Sequence, residues 1–406
     1  MTLDRLTIRP VTEEEYPAFV RAVARQFGDD VHDDDITAYR TVTDLDRTLG
    51  AFDGDRIVGT TETISFDMSV PGGGTVSCGG VSAVGVRTTH RRQGLLTALM
   101  RRQLDDADDR GEPFTALYAS EAPIYGRFGY GPAGPSVSVK APRADLGMDP
   151  PADPSSVELV EADEAIRRCP GIYEAVRAQR PGMMSRTDAW WRFAIGRDEE
   201  RRRRGASARY HAILGDRGYA TYRIKTGWTD NGPDGTLQVS ELIAADGEAE
   251  AALWAFLASV DLITTIEAHL RPADDVLPVR LANTAKAKVE VSEPLYVRLV
   301  RVAEALTARA YPITDALVLD VRDPFREANT GRWRLEAGPD GSTCKPTDDD
   351  ADLALDVSAL AAVSLGGVTW TRLARAGRIT AHTPGALARA DRLFATALLP
   401  WNPAIF

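Results

Sequence analysis

The densest chemistry in this 406-residue sequence lies in Val84-Gly-Val-Arg-Thr-Thr-His-Arg-Arg-Gln-Gly-Leu-Leu-Thr-Ala-Leu-Met100. A strand-like run leads straight into a basic, glycine-bearing turn and then into helical spacing. Such a turn presents successive backbone N–H groups at a helix N-terminus, where the aligned peptide dipoles add about half a positive charge. That is a cradle for a diphosphate. Gly94 lets the backbone approach a phosphate closely, and Arg91 and Arg92 supply charge. There is no Gly-Lys-Ser/Thr and no three-glycine spacing, so this is neither a nucleotide P-loop nor a dinucleotide fingerprint. The other reading of the same residues is an ordinary basic turn ahead of a helix.

Other residues invite chemistry with less local support. Asp29, Asp30, Asp33, Asp34 and Asp35 form a carboxylate stretch that would attract a cation, or is simply a solvated acidic loop. Glu241 and Trp190 or Trp191 are further candidates for substrate contact. His90 sits inside the basic turn, where a structural role is expected. His32, His211, His269 and His382 have no spacing that suggests a triad or a metal site.

These residues need elements to position them. Thr12 with Glu15 three residues on reads as a capping box opening a helix to Phe27, and Gly28 to Asp35 as an acidic loop or helix junction. Ala51 to Gly59 reads as a hairpin around Asp-Gly, continued by a strand over Thr60 to Val70. Cys78 to Val86 is a strand, Gly94 to Ala107 an amphipathic helix, and Thr115 to Ala119 a short buried strand. The prolines at 142, 150, 151 and 154 mark a boundary. The middle third repeats the order strand, strand, strand, helix, strand without the glycine turn. Beyond Pro294, a strand at Tyr296 to Val300 opens a third pattern of short strands and helices. It closes on a helix from Leu393 that runs into an apolar tail.

Composition bounds the answer. At 44% hydrophobic and 26% charged residues, the chain is that of an ordinary globular protein, and its length suits two or three domains. A formal charge of −11 opposes a nucleic-acid partner, because an acidic protein repels the phosphate backbone. No run approaches the ~20 apolar residues of a membrane span. The N-terminus lacks a basic start followed by an apolar stretch, so no secretory signal is expected. Three scattered cysteines, Cys78, Cys169 and Cys344, argue against a disulfide framework or a zinc site and fit a reducing cytoplasm.

Arg91-x-x-Gly94-x-Leu96 after Ala83-Val-Gly-Val86 resembles the coenzyme A motif of GNAT acetyltransferases, with Leu96 departing from the usual small last residue. Together with Ala119-Ser-Glu-Ala-Pro-Ile-Tyr-Gly-Arg-Phe-Gly-Tyr-Gly-Pro-Ala133, it resembles the Eis (enhanced intracellular survival) proteins of actinobacteria. The resemblance extends through Val239-Ser-Glu-Leu242 and Cys344-Lys-Pro-Thr-Asp-Asp-Asp-Ala-Asp-Leu353 to the aromatic last residue. It implies a mixed α/β (α+β) fold in three parts. These are an acetyltransferase domain over 1–150, a second one without the cofactor motif over 151–293, and a sterol-carrier-like domain over 294–406.

By the same resemblance, acetyl-CoA is held by Val84, Gly85 and Val86 at its thioester end and by Arg91, Arg92, Gln93, Gly94, Leu95, Leu96 and Thr97 at its diphosphate. Ser120 and Glu121 match a further cofactor-contacting strand end. Tyr125 matches the general acid. Its phenol, with a reference pKa of ~10, suits donation to a thiolate whose conjugate acid lies at ~8.5. Tyr130 is the neighbouring rival, and packing is the plainer role for either. The C-terminal carboxylate of Phe406 matches the base. The expected acceptor is a cationic amine, aminoglycoside-like or a lysine side chain, met by Asp29, Asp30 and Glu241. A homohexamer and direct transfer in a ternary complex, with no metal, complete what is implied. The rival from another class is a non-catalytic acyl-CoA or lipid carrier that works through the last domain.

Overall fold

The computed structural model describes residues 5–406 and divides them into two compact units. One comprises the residues up to Gly134, Leu295–Ala397 and Ile405–Phe406; the other comprises Pro135–Pro294 and Leu398–Ala404.

In the first unit, helix α1 (Tyr16–Phe27) starts about one turn later than a Thr12/Glu15 capping box predicts, with Glu15 itself at the N-cap. The Glu15 carboxylate accepts the Thr12 N–H at 3.0 Å and a two-pronged Arg9 fork at 2.7 Å, which holds its pKa down at about 2. Gly28, at φ +71°, ends the helix in the left-handed conformation that glycine adopts without strain. α1 buries Tyr16, Phe19 and Val20 against Val11, Ile36 and Phe52. The acidic stretch beyond it is not all loop: Asp33, Asp34 and Asp35 form the first turn of helix α2 (Asp33–Arg40). Carboxylates are stabilising there, at the positive end of the helix.

Strands β1 (Thr7–Pro10), β2 (Thr48–Asp53), β3 (Arg56–Ser69) and β4 (Thr75–Val86) are consecutive antiparallel neighbours. β4 then pairs in parallel with β5 (Phe114–Tyr118). The link between them is helix α3 (Leu95–Asp109), which packs Leu95 and Leu99 onto Leu49, Ala51 and Val58. The next strand in the sheet comes from far along the chain: Leu295–Leu299 lies antiparallel to Phe114–Tyr118. The segment read as opening a third domain therefore adds a strand beside β5.

The rest of this unit is a five-stranded sheet ordered 341–346, 331–338, 315–322, 353–356 and 379–381. Helix Val357–Ser364 is apolar on all sides and every residue in it is buried. The terminal helix is Ala386–Leu393, ending where the sequence reading has it begin. Pro400 and Pro403, which lack the N–H a helix needs, keep the tail extended.

The second unit has strands 131–142, 263–272, 235–244, 218–225, 210–214 and 158–160 in that spatial order, with 235–244 and 263–272 parallel. The first of these strands runs through to Pro142, so the break falls at Gly134/Pro135 and not near residue 150. Its helix Gly247–Ser259 is capped by the Asp246 carboxylate, which accepts from Glu248 N–H and Ala249 N–H where the first unit has its glycine turn. The tail segment Leu398–Ala404 docks here. Trp401 donates its ring N–H to the Leu270 carbonyl at 2.7 Å, and Asn402 accepts the Met184 N–H at 3.1 Å. Among the described residues, no helix is long and apolar enough to cross a membrane.

Candidate active site

The site follows from how β4 parts from β5. Only Cys78, Gly79 and Gly80 pair with Phe114, Thr115 and Ala116. β4 continues to Val86 without that neighbour, which leaves a wedge between the two strand ends. On its other edge β4 carries a bulge. Thr60 pairs with Gly85 and Glu62 with Ser82, so Ala83 and Val84 together face the single residue Thr61. Ala83 takes φ +53°, and its carbonyl accepts the Thr60 hydroxyl at 2.8 Å. The extra residue turns the peptide groups around Val84 out of the ladder.

A cavity of about 860 Å³ opens in this wedge. Its lining includes Val84, Gly85 and Val86 from the bulged strand, and Arg91, Arg92, Gly94, Leu95, Leu96 and Thr97 from the turn. Ser120, Glu121 and Tyr125 line it beyond β5, and Phe406 comes from the chain terminus. The turn is shaped by two left-handed residues, Arg92 at φ +61° and Gly94 at +81°, the latter capping α3. α3 has no acidic side chain in its first turn, so its first N–H groups and dipole face the cavity uncompensated. His90 holds the turn down: its ring nitrogens meet the Thr89 hydroxyl at 2.8 Å and Asp53 at 3.5 Å.

Tyr125 and Tyr130 part company here. Their rings pack edge to face with centroids 6.0 Å apart. The Tyr130 hydroxyl is buried against Thr115 Oγ1 at 2.9 Å, and burial pushes its pKa up. Tyr125 lines the cavity, and no described residue hydrogen-bonds its hydroxyl. Burial, with the nearby Glu121 charge, raises its pKa and keeps the phenol protonated. The Tyr125 carbonyl accepts both the Phe128 and the Tyr130 N–H, which fixes the loop.

The glycines that follow serve packing. A Cβ on Gly129 would stand 2.7 Å from Arg298 Nε, and one on Gly131 would run into the Ser358 carbonyl. Backbone and buried helix thus lie in direct contact. Phe406 packs its ring at a tilt against Phe66 and edge-on to Tyr118, with centroids 5.1 and 5.7 Å away, over Gly80, where a Cβ would crowd it.

Not every expected residue arrives. Gln93 does not line the cavity; its amide reaches back to the Thr89 carbonyl at 3.5 Å. Asp29 and Asp30 are exposed and outside the lining, which is supplied instead by Gln26 and Phe27 from the last turn of α1. Glu241 lies within the second unit, gripped by Arg186 at 3.1 and 2.5 Å and by the Tyr219 hydroxyl at 2.5 Å. A carboxylate so neutralised is a structural ion pair and has no charge left for a substrate. Trp191 is buried in the same core. The sequence reading missed Gln26, Phe27, Ser82, Tyr118, Arg127 and Ile405 as lining residues.

Family models described as acetyltransferase (GNAT) domains match residues 7–133 and 182–302, and a sterol carrier protein domain matches 302–403. The chain is 38% identical to an uncharacterized N-acetyltransferase of Streptomyces avermitilis, covering 99% of each. It is 33% identical to the N-acetyltransferase Eis of Mycobacterium tuberculosis, covering 96% of this chain and 97% of that one. Among solved structures, Eis1 from Mycobacterium abscessus superposes with a TM-score of 0.87 at 33% identity, over 98% of this chain and 100% of the other.

Proposed function

Since the chain belongs to the Eis family of GNAT N-acetyltransferases, we propose that it moves the acetyl group of acetyl-CoA onto primary amines of cationic small molecules in the cavity between β4 and β5. An N-acetyltransferase identity sets aside the carrier alternative. The peptide groups of Val84 to Val86 hold the thioester end of the donor, and the turn from Arg91 to Thr97 holds its diphosphate. Ser120 and Glu121 close the opposite wall.

The reaction is an acyl transfer. The amine nitrogen attacks the acetyl carbon, and negative charge collects on the former carbonyl oxygen. A backbone N–H near Val84 stabilises that oxygen, a contribution of ~3 kcal/mol for a well-placed donor. The C–S bond then breaks, and the thiolate takes the Tyr125 hydroxyl proton. The proton released by the amine passes to the terminal carboxylate of Phe406. The amide and the free thiol leave.

One observation carries this reading: Tyr125 brings a protonated phenol, which no described residue hydrogen-bonds, into the wedge where a bulged strand and a helix N-terminus also meet. The acceptor's charge is met by Glu121 and the Phe406 carboxylate, set among Arg91, Arg92 and Arg127, and not by a broad acidic cleft. Aminoglycoside-like polyamines and lysine side chains are the proposed acceptors. A homohexamer in the cytoplasm belongs to the same proposal, and light scattering reads the assembly. The deciding experiment measures thiol release from acetyl-CoA across a panel of aminoglycosides, simple polyamines and lysine peptides. Turnover with any of them supports the proposal, and turnover with none refutes it.

A further inference from the structure

A second cavity, of about 700 Å³, shares Gln26, Val86 and Arg91 with the first. Its lining holds five arginines, Arg21, Arg25, Arg56, Arg87 and Arg91, against a single carboxylate, Asp55. In a chain of 59 acidic and 48 basic residues this is an unusual concentration of one sign. The arginines come from three places: one face of α1, the start of β3, and the turn that follows β4. Among the described residues only Arg21 of these has an ion pair, with Asp33 at 2.6 Å. Among the described residues the guanidinium groups of Arg25, Arg56 and Arg87 have neither an ion pair nor a hydrogen bond, and that of Arg91 gives one N–H to the Val86 carbonyl at 3.3 Å. Arg21 and Arg25 stand one helical turn apart, where like charges repel. Among the described residues, Asp33 and Asp55 leave most of this charge unbalanced, so the cluster is suited to an anion from outside.

The place of the cluster says which anion. It meets the acetyl-transfer cavity at Arg91, the residue that begins the diphosphate turn, so a ligand held by that turn can extend into it. Guanidinium groups bind phosphate oxygens through paired, charge-assisted N–H bonds, and several converging on one point suit a dianion. Coenzyme A carries such a group beyond its diphosphate, a phosphomonoester on the ribose. Resting on the acetyl-transfer reading, we infer that Arg25, Arg56 and Arg87 form a subsite for the ribose 3′-phosphate of the donor. The enzyme thereby selects free acyl-CoA over acyl groups on carriers that lack this phosphate.

Calorimetry on the full-length protein tests this with two ligands at one fixed ionic strength, coenzyme A and 3′-dephospho-coenzyme A. The wild-type protein should bind coenzyme A ~10–100-fold more tightly, as expected for two or more charge-assisted contacts on one dianion. In Arg56→Ala/Arg87→Ala the preference should fall to within ~3-fold, with affinity for the dephospho form unchanged. That unchanged affinity also shows that the variant is folded. Adenosine 3′,5′-bisphosphate should compete better than adenosine 5′-monophosphate against wild type, and no better against the variant. Equal binding of the two coenzymes by wild type, or a preference that survives in the variant, would overturn the inference and leave the acetyl-transfer reading standing. Binding of neither coenzyme would remove both.

Discussion

Replacing one hydroxyl separates chemistry from packing at this site. Tyr125→Phe keeps the ring against Tyr130 and loses only an oxygen that no described residue hydrogen-bonds. With no internal hydrogen bond lost, stability should move by no more than ~0.5 kcal/mol. The leaving thiolate, however, loses its proton donor. A positioned general acid contributes ~10²–10⁴ in rate, which is roughly 2.7–5.4 kcal/mol of barrier. Tyr130→Phe is the mirror experiment. It breaks a buried 2.9 Å bond and strands the Thr115 hydroxyl, costing about 1–2 kcal/mol of stability, while the cavity keeps its acid.

Single-turnover acetyl transfer and thermal melts on both variants give four numbers. Tyr125→Phe should be slow and stable, and Tyr130→Phe fast and melting a few degrees lower. The pH profile adds a check. Because the Tyr125 pKa is raised, the wild-type rate should not fall through phenol ionisation until the pH passes the ordinary tyrosine value of ~10. A Tyr125→Phe protein within ~3-fold of the wild-type rate, or a Tyr130→Phe protein that is the slower of the two, would refute the assignment.

Other perturbations read other parts of the structure. One glycine appended after Phe406 shifts the carboxylate while leaving the ring between Phe66 and Tyr118, so kcat should fall by ~10² with the KM for acetyl-CoA within ~3-fold. An extended protein at full activity would remove the base from Phe406. Gly131→Ala sets a methyl against the Ser358 carbonyl and 2.7 Å from the Ala362 nitrogen, backbone atoms that cannot swing aside. It should cost about 2–4 kcal/mol in a melt, whereas Gly126→Ala, with nothing within 4 Å, should not. Burial raises the Glu62 carboxyl from 4.5 to about 7, with the Asp44 charge adding and a Thr43 hydrogen bond opposing. The folded state therefore holds the Glu62 proton longer than the unfolded one. Its stabilisation is present in full below 4.5 and lost as pH rises through 7, at most about 3 kcal/mol. Glu62→Gln should therefore gain on wild type between pH 5 and 8 in parallel denaturant titrations, and a constant difference across that range would contradict the argument.

What the sequence made legible was local, and what it hid was long-range. The segment from Val84 to Met100 announces strand, basic turn and helix within 17 consecutive residues, because the groups that build the turn are neighbours in the chain. Gln26 and Phe27 enter the same cavity only because α1 packs on β3 and β4, and no pattern around them points there. Glu241 read as a free carboxylate because its partner Arg186 lies 55 residues earlier. The prolines near 150 looked like a boundary, but proline also fits strand ends and edges, and the strand from Gly131 carries the chain past the division at Pro135. The segment from Leu295 looked like a beginning because nothing in it says that β5 lacks a neighbour on that side.

How the thiols are held bears on the order of chemical events. Cys78, on β4, is fully buried and outside the cavity lining, and burial together with the Glu112 charge pushes its pKa well above the usual thiol range, the Arg47 guanidinium opposing. Burial raises Cys169 and Cys344 to about 12, where only roughly one thiol in 10⁵ is ionised at neutral pH. Among the described residues, the aliphatic hydroxyls that line the cavity, those of Ser82, Thr97 and Ser120, have no hydrogen bond to an imidazole that would activate them. His90, the one histidine in the lining, is engaged by Thr89 and Asp53. Among the described residues an acyl-enzyme therefore has no activated nucleophile to form on, which under the proposed function favours direct attack of the amine on the thioester. Both substrates must then be bound at once, so initial rates at several fixed acetyl-CoA concentrations should give intersecting double-reciprocal lines. Parallel lines, with a stable acetyl mark on the protein after incubation with acetyl-CoA alone, would show a covalent route instead.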